Sequence, residues 1–281
     1  MLLLVTDTSG KHGSVALARA GEGAKPNGIA VIEEMPLAGG TFSAQLVPQI
    51  AALLAKHAFS KTDIDAFLVV SGPGSFTGLR VGLAAIKALA EILRKPIVPV
   101  SLLEVVALAS GAQGRVLAAL DAGRGEVYVG EYEIAGDAAP QLHEQLLPKD
   151  EFWSRVGQAA FATPDQALAA SARNARISVF PVATPGAEMI SQVGWQKLQA
   201  GKTVSPEQLE ANYIRRSDAE IFAKPVSIRS PISSWDMPSF SDENTARNTS
   251  QVASHARRIS SSSCGDFTPR QATVTGSPEL N

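Results

Sequence analysis

A strand that ends in an aspartate and turns through glycine into a second strand occurs twice in this chain. Residues 2–6 run apolar into Asp7-Thr8-Ser9-Gly10, and Ser14-Val15-Ala16-Leu17 follows. Residues 116–120 run into Asp121-Ala122-Gly123-Arg124-Gly125, and an alternating strand over 126–133 follows. The two aspartates lie 114 residues apart (121 − 7). A unit that recurs at such a distance implies two related α/β lobes rather than one uniform sheet. The 281 residues are enough for two domains of about 150 each.

The rest of the pattern fits that plan. Strands are expected at 14–19, 29–36, 66–70 and 97–100. Helices are expected at 43–57, 78–94 and 102–109, with Pro96 stopping the second. Pro48 lies inside the first helix and either marks its effective start or kinks it. Helical spacing returns at 148–156 and 188–200, and 209–223 closes the ordered part. The expected organisation is a first lobe over 1–110, a second over 111–225, and a low-complexity tail over 226–281. The tail is rich in Ser, Thr, Asn and Arg, and its five Arg balance three Asp and two Glu. Without apolar periodicity it cannot repay its ordering entropy, so disorder is expected there.

Net charge is −2, so no global basic field draws in nucleic acid. The one cysteine, Cys264, excludes an internal disulfide and fits a reducing compartment. The apolar start has no basic n-region before Asp7, and residues 79–93 are interrupted by Arg80, Lys87 and Glu91. Neither reads as a secretion signal or a membrane span, so a cytoplasmic location is expected.

Three features are candidates for chemistry. The loop Gly72-Pro73-Gly74-Ser75-Phe76-Thr77-Gly78 joins a strand to a helix. Backbone N–H groups at such a helix start suit a phosphate, although a tight turn capped by Ser75 or Thr77 gives the same pattern. The loop lacks the ending of a Walker A motif. The hairpins of Asp7 and Asp121 resemble those that hold phosphates and a metal in actin-like ATPases and sugar kinases, but Asp at a strand end is also an ordinary turn former. Asp7, Thr8, Ser9, Gly72, Gly74, Ser75 and Asp121 are therefore the candidate nucleotide-binding residues. The third feature is helix 78–94, which is apolar on two faces. Leu79, Gly82, Ile86, Leu89 and Leu93 suit the lobe core. Val81, Ala84, Ala85, Ala88 and Ile92 make a second face, available to a partner helix or to the chain itself. The four histidines, His12, His57, His143 and His255, form no metal-ligand spacing, and no catalytic or metal residue is assigned.

These residues resemble the TsaB (YeaZ) family. The resemblance rests on Asp7-Thr8-Ser9, Ser14 to Leu17, and Ser71-Gly72-Pro73-Gly74-Ser75-Phe76-Thr77-Gly78-Leu79-Arg80-Val81-Gly82. It continues in Leu120-Asp121-Ala122, in Arg124-Gly125-Glu126-Val127-Tyr128 and in Tyr213-Ile214-Arg215, and covers roughly 1–225. It implies a two-lobed actin-like (ASKHA, ribonuclease-H-like) α/β fold with mixed sheets flanked by helices. It further implies a non-catalytic subunit that pairs with a TsaD-like catalytic protein through helices 43–57 and 78–94. Leu46 and Ile50 then join Val81, Ala84, Ala85, Ala88 and Ile92 as candidate partner residues. With a TsaE-like ATPase, such a complex transfers threonylcarbamoyl to N6 of the adenosine 3′ of the tRNA anticodon. ATP and Mg belong to the complex interface and no cofactor to this chain alone. A homodimer is the alternative for the isolated chain.

Two departures stand out. Many family members open the first helix with a His-Ser or His-Thr pair, where this chain has Thr41-Phe42-Ser43, and the tail after Pro225 has no family counterpart. A small-molecule kinase or ATPase of the same superfamily, using Asp7 and Asp121 around ATP-Mg, is the rival reading. No general-base Asp loop and no adenosine-binding Gly-Gly pair support it. A metallopeptidase is disfavoured because the chain has no paired histidines.

Overall fold

The computed structural model describes residues 1–21, 28–136, 138–156 and 160–214. The expected tail over 226–281, Arg215 and most of 209–223 lie outside the described residues. The first sheet contains β1 (Leu2–Asp7), β2 (His12–Ala20), β3 (Ile29–Ala38), β4 (Ile64–Gly72) and β5 (Ile97–Ser101), in the order β3-β2-β1-β4-β5. The second contains β6 (Gly114–Gly123), β7 (Glu126–Ile134), β8 (Gln141–Pro148), β9 (Phe161–Thr163) and β10 (Val179–Pro181), in the order β10-β9-β6-β7-β8. The plan is the same in both. Three antiparallel strands form a meander, and two parallel strands extend the sheet beyond its first strand. The duplication read from the two hairpins is thus a duplication of whole sheets. Asp7 pairs with Ser14 across the first hairpin, and Asp121 pairs with Val127 across the second.

The run Leu2 to Val5 is apolar without alternation because both faces of β1 are covered. On one face α1 (Phe42–Lys56) and α2 (Phe76–Leu93) bring Leu46, Leu53 and Ile86 onto Leu4, Leu17 and Phe67. On the other face α6 (Ala187–Gln199) sets Ile190 and Val193 against Leu3, Ala16 and Leu68. Gly194 permits that approach, since a Cβ there would lie 2.7 Å from Leu68 Cδ1. The α3 helix (Leu102–Ala109) joins the lobes, with Val105 in the first core and Leu103, Val106 and Ala107 in the second. In the second lobe α4 (Lys149–Val156) and α5 (Gln166–Asn174) cover the sheet, and Phe152 meets Phe161 edge-on with ring centroids 5.3 Å apart.

The expected helices and the strands of the first lobe are present. Helix α1 runs through Pro48, which lies on its exposed side. Strands β8, β9 and β10 and helix α5 carry no pattern strong enough to read from sequence, and β9 and β10 are only three residues long. The expected divide between 110 and 111 does not separate the cores. Helix α6 returns to the first sheet, Val204 bridges to Ile97, and Leu209 is buried in the first core.

Candidate functional site

The loop after β4 is shaped by the turn after β1. Asp7 Oδ1 accepts hydrogen bonds from the Ser9 N–H at 2.8 Å and the Ser9 hydroxyl at 2.6 Å, which closes the turn on itself. The Ser75 N–H donates to the Ser9 carbonyl at 2.6 Å, and Ser75 Oγ caps α2 by accepting from the Gly78 N–H at 3.3 Å. Gly74, Gly78 and Gly82 form one ridge against this turn. A Cβ on them would lie 2.3 Å from the Ser9 carbonyl oxygen, 2.1 Å from that of Thr8 and 2.2 Å from Thr8 Oγ1. Gly72 has φ +136°, and its Cβ would lie 2.9 Å from the Asn212 carbonyl oxygen. The glycines that sequence assigned to a phosphate cradle are therefore required by the chain's contact with itself.

The aspartates are engaged as well. Burial pushes the Asp7 carboxyl above the usual carboxylate range, the two Ser9 bonds pull the other way, and nearby Glu34 adds to the rise. Asp121 is paired with Lys149, whose Nζ is 3.0 Å from Oδ1.

A cleft of about 1190 Å3 opens where these parts meet. Of the candidate nucleotide-binding residues, Ser9, Gly74, Ser75 and Asp121 line it together. Asp7, Thr8 and Gly72 are not among its lining and support it from behind. Sequence reasoning missed Lys11, His12, Arg124, Phe76 and Tyr213, which also line it. The signal for three of them was their place in the hairpin turns beside the two aspartates. Arg124 and Gly125 have φ of 55° and 80°, so they form a two-residue hairpin turn of the I′ kind that carries the arginine at its tip. Tyr213 reaches the cleft from the far end of the described chain. Its ring lies 5.0 Å from that of Phe76, and its hydroxyl accepts from Arg80 Nε at 3.2 Å. The Arg80 guanidinium lies 3.9 Å from the centroid of the Phe76 ring. Behind the cleft Glu144 joins the lobes. It accepts from the Ser101 hydroxyl at 2.7 Å and from Tyr132 Oη and Asn212 Nδ2.

The expected partner face is only partly available. Leu46 and Ile50 are 1% and 4% exposed and belong to the first core, so they leave the candidate interface. The reason is register, because they lie on the same side of α1 as Leu53. Val81 and Ala85 are half-buried against that core, whereas Ala84 and Ala88 are exposed and Ile92 is 71% exposed. Val47 of α1 is also exposed. Among the described residues no group of three His, Cys, Asp or Glu side chains is placed to hold a metal ion, and no helix is long and apolar enough to cross a membrane.

Residues 36–222 match the family model described as TsaD, tRNA N6-adenosine threonylcarbamoyltransferase. The chain is 30% identical over 236 residues to the Escherichia coli K12 protein named tRNA threonylcarbamoyladenosine biosynthesis protein TsaB, an alignment covering 78% of this chain and 96% of that one. It is 33% identical over 150 residues to the Bacillus subtilis protein of the same name, across 53% of this chain and 60% of that one. The solved structure of YeaZ from Pseudomonas aeruginosa superimposes with a TM-score of 0.59 at 26% identity, covering 75% of this chain and 99% of the other.

Proposed function

Because the chain belongs to the TsaB (YeaZ) family of tRNA threonylcarbamoyladenosine biosynthesis proteins, we propose that it is a non-catalytic subunit of that machinery. It holds a TsaD-like enzyme that transfers threonylcarbamoyl to N6 of the adenosine 3′ of the anticodon. A TsaE-like ATPase joins the assembly, and ATP-Mg is bound at the interface of the complex. The assembly works in the cytoplasm.

The observation that carries the reading is the outward face of α2. Ala84, Ala88 and Ile92 recur at offsets of four, so they form one exposed ridge, separate from the buried Leu79, Leu83 and Ile86. Small residues at its centre let another helix come close, and a side chain as apolar as Ile92 favours being covered. The rival kinase reading loses support because Asp121 is held by Lys149 and the Asp7 carboxylate by Ser9.

The test is Ala88→Glu, read by circular dichroism melting and by capture of a TsaD homologue. Burying an unpaired charge costs several kcal/mol, and each 1.4 kcal/mol is about tenfold in affinity. The variant should melt like the parent and bind at least about a hundredfold more weakly. A folded variant that binds normally removes α2 from the interface. Transfer to tRNA by the purified chain, supplied with threonylcarbamoyl-AMP but no TsaD homologue, would end the non-catalytic reading.

A further inference from the structure

We propose that the interlobe cleft is where this chain grips an unpaired stretch of tRNA. The inference rests on the reading above and adds a contact of this chain's own. The chain as a whole has a charge of −2, so any RNA contact must be local. The cleft supplies one. Lys11 and Arg124 line it, Arg124 with an interaction of its own already, and Arg80 lies on Phe76, a lining residue; the one lining carboxylate, Asp121, is held by Lys149. Among the described residues Lys11 pairs with no acidic side chain.

The aromatic ledge narrows the ligand further. Arg80 and Tyr213 both pack on Phe76 and hydrogen-bond to each other, and Tyr213 remains 43% exposed where it lines the cleft. An aromatic ring next to cations is the arrangement that takes a splayed base and its phosphate. In a duplex the base faces are already stacked, so the ledge selects unpaired nucleotides. The cluster is fixed at one end by α2 and at the other by Asn212, whose N–H donates to the Ser71 carbonyl at 2.8 Å and whose side chain is bonded to Glu144. The ledge is therefore built before a ligand arrives, which lowers the cost of ordering it.

The experiment uses the full chain with a fluorescein-labelled tRNA anticodon stem-loop, read by anisotropy. Stacking of one base corresponds to about a fivefold to hundredfold loss in Tyr213→Ala, while Tyr213→Phe, which keeps the ring, should bind like the parent. Lys11→Glu should weaken binding and flatten its salt dependence by about one unit of log–log slope. Capture of a TsaD homologue by the same variants should stay intact, so a failure of the RNA contact is told apart from a failure of the scaffold reading. Parental anisotropy that does not rise with the stem-loop, unchanged binding by Tyr213→Ala, equal binding of a fully paired duplex, or displacement by ATP at matched concentration would each overturn the proposal. The last of these would make the cleft a free-nucleotide site.

Discussion

Asp7 lies where its surroundings disfavour a carboxylate charge. Burial is the largest influence on it and raises its pKa, and the two Ser9 bonds only partly offset that. An acid whose folded pKa is raised contributes stability that is fully present below its unfolded pKa and is lost as pH rises through the folded value. Asn at this position retains an acceptor for Ser9 and has no charge to bury. Asp7→Asn should therefore melt higher than the parent near neutral pH, with the gain shrinking to nothing on the acid side of about pH 4. Melts across that range check it, and a gain that does not depend on pH would place the effect in packing instead. Gly78 tests the neighbouring contact. Alanine raises helix propensity by about 1 kcal/mol, but its Cβ would meet a backbone oxygen that cannot rotate away. Overpacking of this kind costs about 1–3 kcal/mol, so Gly78→Ala should lower the melting midpoint by several degrees.

At the scale of elements, Pro48 is the exception to the rule that local preference agrees with the fold. It stands seven residues into α1, where it withholds an N–H from the Ala44 carbonyl, and it is exposed, so no packing rewards it. Pro48→Ala should restore that bond. Proline costs about 3 kcal/mol against alanine in a helix interior, of which up to about 1 kcal/mol is returned through the stiffer unfolded chain. The midpoint should rise by several degrees in thermal unfolding. An unchanged midpoint would mean that the first turns of α1 are already loose. Elements with a clear period were legible in the sequence: α2 shows its core face at Leu79 and Ile86, and β1 shows its double burial. What was not legible is the partner of each face. Leu46 and Val81 have similar local patterns, and only the tertiary register puts one in the core and the other at its edge. The glycine loop was legible as a motif but its packing partners were not, because the atoms against Gly74 and Gly78 belong to Ser9 and Thr8, more than sixty residues upstream (74 − 9 = 65). The cleft was half visible. Its aspartates and glycines are contiguous motifs, whereas Lys11, Arg124 and Tyr213 come together only when both sheets are folded.

At the scale of the whole molecule, one carboxylate holds three distant parts. Glu144 on β8 accepts from Ser101 between β5 and α3, from Tyr132 on β7, and from Asn212 on the segment that returns from α6. Tyr132 and Ser101 are buried, so their hydroxyls lose their acceptor together if Glu144 is removed. A buried polar group left unsatisfied costs about 1–3 kcal/mol, and the loss here falls on two hydroxyls and an amide. The same segment sets Leu209 in the first core, Tyr213 on Phe76 and Ile214 against the second core, so it acts as a strap across both lobes. Glu144→Ala should thus lower global stability by several kcal/mol and, before global unfolding, speed amide exchange at residues 209–214 more than in β1 or β4. Glu144→Gln keeps one acceptor oxygen and should fall between the variant and the parent. Tyr132→Phe removes a donor together with its need and should cost less than Glu144→Ala. Exchange mass spectrometry on the three variants gives the comparison. Equal exchange at 209–214 in the parent and in Glu144→Ala would show that apolar burial of Leu209 and Ile214 holds the strap without the carboxylate.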